Sequence, residues 1–146
     1  MKLRTSLAAA GAAVVLGTTG ALVLPAVASA HNATHTLKFI AVQKGTVNFT
    51  TATQGVQETD TNTAGKTIGF DMIYVAVTSP SSASVNATVE TTGGFLYGTF
   101  TLNLKTGAVT NGKVTGGTGA FAGATGTIKA TTISSTKHAV TITYSG

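Results

Sequence analysis

Asp71 is the residue whose type and surroundings most favour chemistry. It is the only charged residue in the apolar run 68–77, and Lys66 lies five residues away along the chain. The β-branched residues of this run predict a strand, in which Asp71 shares a face with Gly69 and Ile73. Burial of that face would raise the pKa of the carboxyl and suit Asp71 to act as a general acid or base. A solvated Asp71, or one hydrogen-bonded near a strand end, is the alternative.

The other three acidic residues carry weaker signals. Glu58 and Asp60 fall within residues 53–65, a polar stretch that is typical of a long connecting loop. Two carboxylates without further Asp or Asn residues at regular spacing make a poor Ca²⁺ site. Glu90 alternates with apolar residues, which predicts a solvated position on the outer face of a half-buried strand. We therefore expect no metal ion to be bound by these acids.

The histidines and the lack of cysteine limit the remaining chemistry. His31, His35 and His138 do not form a ligand set in the sequence, and no Ser-His-Asp arrangement can be argued around His138. Because the chain contains no cysteine, disulfides, thiol catalysis and cysteine metal sites are excluded. We expect neither a metal site nor a bound cofactor.

Aromatic side chains are spread along the chain, about one to each predicted strand or turn. An apolar ligand inside the fold would contact such side chains, and four are candidate ligand-binding residues: Phe39, Phe70, Tyr97 and Phe100. A solid hydrophobic core would use the same residue types. The sequence therefore leaves open whether the interior is hollow or filled.

The elements that must position these residues are β-strands. Thr and β-branched residues are abundant, and no long segment repeats apolar residues at the spacing of a helix. Clusters of Gly, Asn and Ser separate eight short runs that we predict as strands, at residues 36–43, 46–52, 66–78, 84–91, 94–104, 108–114, 127–134 and 138–144. Eight short antiparallel strands fit either a sandwich or a closed barrel.

Two turn signals affect the boundaries of the predicted strands. Lys44 and Gly45 are expected to form a hairpin turn between the first two strands. Asn111 and Gly112 form the strongest two-residue turn signal, but they lie inside the sixth predicted strand. That segment is therefore either a bulged strand or a small hairpin.

Glycine is densest in residues 116–126, where five glycines surround one phenylalanine: Gly116, Gly117, Gly119, Phe121, Gly123 and Gly126. Glycine reaches positive φ and permits close backbone approach, so this stretch predicts a sharp corner between two strands, with Phe121 packed against the end of the fold. A dinucleotide-binding turn would instead open a helix and precede an acidic residue. The twenty residues after Gly126 contain no acid, which argues against that alternative.

The order of residues 116–126 resembles the GGTG-x-F-x-G-A-x-G signature of the allene oxide cyclase and dirigent protein superfamily. Residues 65–72 and 100–107 are similar to other strands and turns of that superfamily. The likeness covers most of the second half of the chain and weakens towards the amino end. It implies an all-β fold, an eight-stranded antiparallel β-barrel, which plant members commonly assemble as a trimer.

Two departures limit what the resemblance implies about activity. Dirigent proteins usually have Ala-Arg-Gly where this chain has Ala124, Thr125 and Gly126. Plant allene oxide cyclases carry a functional Glu on the first strand, whereas residues 37–43 contain no acid. We therefore expect this chain to share the fold of these proteins but neither of their specific plant activities.

Three functions fit these observations. The first is a barrel that binds or guides a small apolar molecule without redox chemistry of its own, as dirigent proteins are thought to do. The second is a cyclase or isomerase that uses Asp71 as its acid or base. The third is a solid structural barrel of the cell envelope. A cavity of roughly a few hundred Å³ that Asp71 faces would favour the enzyme, a cavity without an acid the binding protein, and no cavity the structural role.

Residues 1–30 have the features of a secretory signal peptide. Lys2 and Arg4 precede an apolar run over residues 7–27, and Ala28-Ser29-Ala30 fits a cleavage site. We therefore expect a secreted, extracellular protein that begins at His31, consists of one domain over residues 31–146 and has no membrane segment after cleavage.

The charges of residues 31–146 bear on the partners. Seven lysines are scattered against four acids, and arginine is absent from this part of the sequence. Nucleic-acid binding favours clustered Arg and Lys, so no nucleic-acid partner is expected. The expected partners are a small apolar ligand and further copies of the same chain.

Overall fold

The computed structural model describes residues 33–146, which form a closed barrel of eight antiparallel strands. Consecutive strands pair with each other, and the last strand pairs with the first. This closing ladder confirms the predicted all-β barrel and excludes the sandwich. The strands are β1 (Thr34–Asn48), β2 (Thr53–Thr61), β3 (Thr67–Ser79), β4 (Ser82–Thr91), β5 (Gly94–Asn103), β6 (Val109–Gly117), β7 (Thr125–Ser134) and β8 (Lys137–Ser145).

Strand alternation separates the interior from the outer surface. In β4 the buried side chains are Ala83, Val85, Ala87 and Val89, and the residues between them face outwards. Glu90 belongs to this outer set, as its spacing predicts. Within residues 33–146 no helix has the length and hydropathy that crossing a membrane requires.

The start of the barrel differs from the prediction. The expected turn at Lys44 and Gly45 is a β-bulge inside β1, where the register with β2 shifts between Gln43 and Gly45. The bulge lets β1 continue to Asn48, so the predicted strand over 46–52 and the predicted loop over 53–65 are both wrong. Most of that supposed loop is β2, which carries Glu58 and Asp60.

The segment around Asn111 and Gly112 is a bulged strand, the first of the two alternatives. The pairing of β6 with β5 shifts between Thr99 and Thr101, opposite Asn111 and Gly112. Asn111 has a φ of 54°, the left-handed conformation that asparagine tolerates better than most residues. The bulge bends β6 and increases its local twist.

Residues 118–124 connect β6 to β7 through a short 3₁₀ turn, Gly119–Phe121. Phe121 is 7% exposed, and its ring packs edge-on against Tyr144 with the ring centroids 5.4 Å apart. At Gly117 an added Cβ would lie 2.6 Å from the carbonyl oxygen of Phe95, so the corner needs glycine there. The glycine-rich segment thus forms the ordered corner expected from its composition.

The barrel has two ends with different packing. The corner end contains the 118–124 connection and a large cluster of buried side chains that includes Phe121, Leu96 and Ile142. The hairpin end contains the turns that join β1 to β2, β3 to β4, β5 to β6 and β7 to β8, with a smaller buried cluster of Val75, Ala83 and Val85. The proposed signal peptide and the predicted first residue, His31, lie outside the described residues.

Candidate functional site

Three carboxyl groups lie together inside the barrel. Glu58, Asp60 and Asp71 are 6%, 1% and 4% exposed. Glu58 is directly opposite Asp71 in the β2–β3 ladder, and Asp60 is opposite Gly69. Side chains at opposite positions on one face have Cβ atoms about 5 Å apart, and diagonal neighbours are within reach of each other. The three acids therefore form one cluster, which we call the acid cluster.

Glycine leaves room for this arrangement. Gly69 shares the inner face with Asp71, and its hydrogen faces the Asp60 side chain. A Cβ added at Gly69 would lie 3.7 Å from Oδ2 of Asp60 and would collide with the backbone carbonyl of Glu90. The absence of a side chain at this position lets β2, β3 and β4 approach closely beside the acid cluster.

Three of the six carboxylate oxygens in the cluster are buried without a hydrogen-bond partner. Neither oxygen of Asp60 is paired, and Oδ1 of Asp71 is also unpaired. A buried polar atom without a partner costs about 1–3 kcal/mol. Native structures contain few such atoms, and they often mark functional positions. The acid cluster therefore destabilises the fold, which is typical of a site retained for its chemistry.

The environment changes the protonation of two of these acids. Burial, together with the negative charges of Glu58 and Asp60, raises the pKa of Asp71 from its usual 3.8 to about 9. Burial likewise raises the pKa of Asp60 to about 7, with a contribution from the charge of Glu58. At neutral pH Asp71 is therefore protonated and available as a proton donor.

The acid cluster adjoins a cavity of about 90 Å³ in the barrel interior. Asp71 and Glu58 supply two of its polar groups, and His138 contributes a third from β8. Among residues 33–146, those that line it include no lysine or arginine. The remaining walls are mainly apolar, with Phe39, Ile73, Val89, Phe100, Ile128 and Ile142 among them.

The size of the cavity limits what it can hold. Its volume equals that of about three water molecules in the liquid and is smaller than a cavity of about 150 Å³ that binds benzene. The barrel is thus neither solid nor as hollow as a typical ligand site, which begins near 300 Å³. A compact molecule of about six heavy atoms therefore enters only if the cavity walls move outwards.

Two of the four candidate aromatic residues line this cavity and two do not. Phe39 and Phe100 are on its wall with Asp71. Phe70 and Tyr97 are 41% and 38% exposed and lie on the outer surface. Strand alternation is the reason, because Phe70 neighbours the inward-facing Asp71. This placement corrects the expectation that Phe70 and Tyr97 would contact a ligand inside the barrel.

Glu58, Asp60 and His138 were not expected at this site. The sequence contained a signal for the first two, because Val56, Glu58 and Asp60 occupy every second position and so share one face of a strand. In the structure this face is buried. The polar residues between them made the segment look like a loop. His138 carried no signal of its own, since only closure of the barrel brings β8 to the cavity wall.

The wall between β6 and β7 is the weakest part of the barrel. Their ladder contains only the pairs Lys113↔Thr127 and Val114↔Gly126. Gly107, Val109 and Ala130 line both the cavity and a groove on the outer surface near the hairpin end. Thr132 Oγ1 donates a hydrogen bond of 3.3 Å to the Gly107 carbonyl across this groove. The same residues thus face both the solvent and the interior.

The barrel is similar to a solved structure. A chain described as pyocyanin demethylase matches with a TM-score of 0.63 and 15% sequence identity, over 75% of this chain and 99% of that one. At this identity the match shows a shared small-barrel fold. No protein-family profile matches the sequence, and no curated protein matches it. The comparison therefore shows the barrel fold alone.

Proposed function

We propose that the barrel binds a small, largely apolar molecule in the cavity and catalyses a proton transfer on it, as a cyclase or isomerase does. The observation that carries this proposal is the position of Asp71 and Glu58, directly opposite each other on the wall of an apolar cavity. An acid that faces the cavity favours the enzyme over a purely guiding barrel.

The two carboxyls have complementary roles in this mechanism. Asp71, protonated at neutral pH, donates its proton to an electronegative atom of the ligand, such as a carbonyl oxygen. The Glu58 carboxylate removes a proton from the adjacent carbon, which gives a neutral enol. The proton then returns from Glu58 to a carbon atom while Asp71 recovers its own from the enol oxygen. The cycle is balanced and requires no oxidant or reductant.

The structural neighbour supports a small-molecule site in this kind of barrel. By its name, that protein demethylates pyocyanin, a small aromatic molecule. Phe39 and Phe100 provide aromatic contacts for a comparable apolar ligand here. We further propose that this ligand resembles those of the allene oxide cyclase and dirigent superfamily.

Binding without catalysis is the second candidate function. The mainly apolar lining of the cavity favours it, because such walls hold a ligand without changing it. In that case the barrel would guide a small molecule, as the dirigent resemblance implies. The two functions differ in whether Glu58 removes a proton from the bound molecule.

We also propose that the protein is secreted and that it associates with further copies of itself. The residue types of segment 1–30 support export and removal of a signal peptide. The outer face of β3 exposes Phe70, Met72 and Tyr74, an apolar strip that further copies of the chain can cover, as in a trimer.

Hydrogen exchange into a compact ketone tests the proton transfer. Cyclopentanone has six heavy atoms, and in D₂O its α-protons are replaced only when a base removes them. We expect the protein to accelerate this replacement, followed by proton NMR, and we expect Glu58→Gln to reduce the acceleration about 100-fold or more. Asp71→Asn removes the donor and should reduce it similarly.

Glu90→Gln is the matched control, since Glu90 lies on the outer face. This variant should retain the exchange rate of the unmodified protein. If the Glu58→Gln and Asp71→Asn variants exchange as fast as the unmodified protein, the proton-transfer function is wrong. Saturable binding of cyclopentanone without exchange would instead identify the non-catalytic barrel.

A further inference from the structure

Among the described residues, the acids inside the barrel have no lysine or arginine beside them at the cavity. Three carboxyl groups face inwards, and the residues around the cavity include no lysine or arginine among residues 33–146. Both oxygens of Asp60 and one of Asp71 lack a partner. Buried acids are normally paired with a cation or hydrogen-bonded. At neutral pH the cluster limits its charge by holding protons, and a positively charged or strongly hydrogen-donating group from outside the chain could replace those protons at the cavity wall, where Glu58 and Asp71 lie.

We infer that the cavity selects a ligand with a positively charged nitrogen on a compact apolar body, that is, an alicyclic or aromatic amine in its protonated form. The inference rests on the proposed function, because it takes the cavity to be the ligand site. The nitrogen would lie against Glu58 and Asp71 and donate hydrogen bonds to their oxygens. The apolar body would fill the rest of the cavity once its walls have moved outwards.

An organic cation fits the lining better than a metal ion. Among residues 33–146 no group of three His, Asp or Glu side chains is arranged to hold a metal ion. The walls also include two aromatic rings, Phe39 and Phe100. A cation attached to an apolar body gains from aromatic faces, whereas a metal ion requires several converging oxygen or nitrogen ligands.

Binding of such a ligand is coupled to proton release. The titratable groups at the site are Glu58 and Asp60 from β2, Asp71 from β3 and His138 from β8, and the side chains that line it from β1, β4 and β5 are apolar. A positive charge beside the acids favours their ionised forms. The ligand should therefore displace protons from the acid cluster when it binds at neutral pH.

Cyclopentylammonium and cyclopentanol form a matched pair of probes. They share the five-membered ring and have the same number of heavy atoms, so they differ mainly in charge. Titration calorimetry at pH 7.5 should show cyclopentylammonium binding about tenfold tighter or more, because charge-assisted hydrogen bonds are about twice as strong as neutral ones. Repeating the titration in buffers of different ionisation enthalpy should reveal protons released with cyclopentylammonium but not with cyclopentanol.

The variants separate charge selection from simple binding. The double variant Glu58→Gln, Asp71→Asn should bind both probes with affinities within about twofold of each other, while Glu90→Gln should keep the tenfold preference. Equal affinities in the unmodified protein would overturn the inference and leave the ligand cavity in place. Binding of neither probe would also overturn it. The proposed proton transfer is judged separately, since its ketone probe is neutral.

Discussion

Stability should be greatest at or below about pH 4 and should decrease as the pH rises towards 9. Asp60 and Asp71 have pKa values raised by burial to about 7 and about 9, against 3.8 in the unfolded chain. Between these values the unfolded state loses protons that the folded state retains. Each such proton lowers the free energy of unfolding by up to about 1.4 kcal/mol per pH unit. Asp60 should contribute to the decrease up to about pH 7 and Asp71 up to about pH 9.

Urea unfolding between pH 4 and pH 8.5 measures this decrease. Asp60→Asn and Asp71→Asn should each reduce the slope, because an amide does not ionise, and both variants should be more stable than the unmodified protein at pH 8.5. Glu90→Gln alters an acid on the outer face and should leave the slope unchanged. A free energy of unfolding that rises between pH 4 and pH 7 would show that the two aspartates are not buried as described.

Replacing Phe121 with alanine should have the largest effect on stability among single core substitutions at the corner end. Phe121 is 7% exposed, and its ring packs against Tyr144 and lies beside Gly93. Loss of a buried phenylalanine typically costs about 3–5 kcal/mol, because the transfer energy is lost and a cavity remains. The free energy of unfolding, again from urea titration, should fall by that amount.

Phe49→Ala is the control for this substitution. Phe49 is 60% exposed in the turn between β1 and β2, so removing its ring should cost much less than removing that of Phe121. Equal losses in the two variants, or an unchanged midpoint for Phe121→Ala, would mean that the corner does not contribute to the core. The glycine-rich signature would then have no structural role at the barrel end.

The parts of the fold that alternation predicts best are the strands with one clearly apolar face. In β3 Gly69, Asp71, Ile73 and Val75 share one face, as alternation predicts, and the structure places that face inwards, which the sequence left open. In β4 the outward position of Glu90 follows from the same rule. These strands could be predicted because hydrophobic burial on one face fixes their register.

The first hairpin could not be predicted in the same way. A bulge at Lys44 leaves no hydrophobic signature, and a lysine followed by glycine is also typical of a turn. β2 then places two acids in the interior, whereas polar residues in a half-buried strand usually face the solvent. The sequence therefore identified one member of the acid cluster, Asp71, and missed Glu58 and Asp60.

The proposed mechanism depends on Asp71 being a buried acid, protonated at neutral pH, on the wall of an apolar cavity. Carbon NMR of the protein labelled at the aspartate carboxyl carbons reports this ionisation directly, with the Asp71 signal identified by its loss in Asp71→Asn. We expect Asp71 to remain protonated at pH 7 and to ionise near pH 9, because burial and the neighbouring acids raise its pKa. Ionisation near pH 4 or below would contradict this expectation and remove the proton donor on which the proposed mechanism depends.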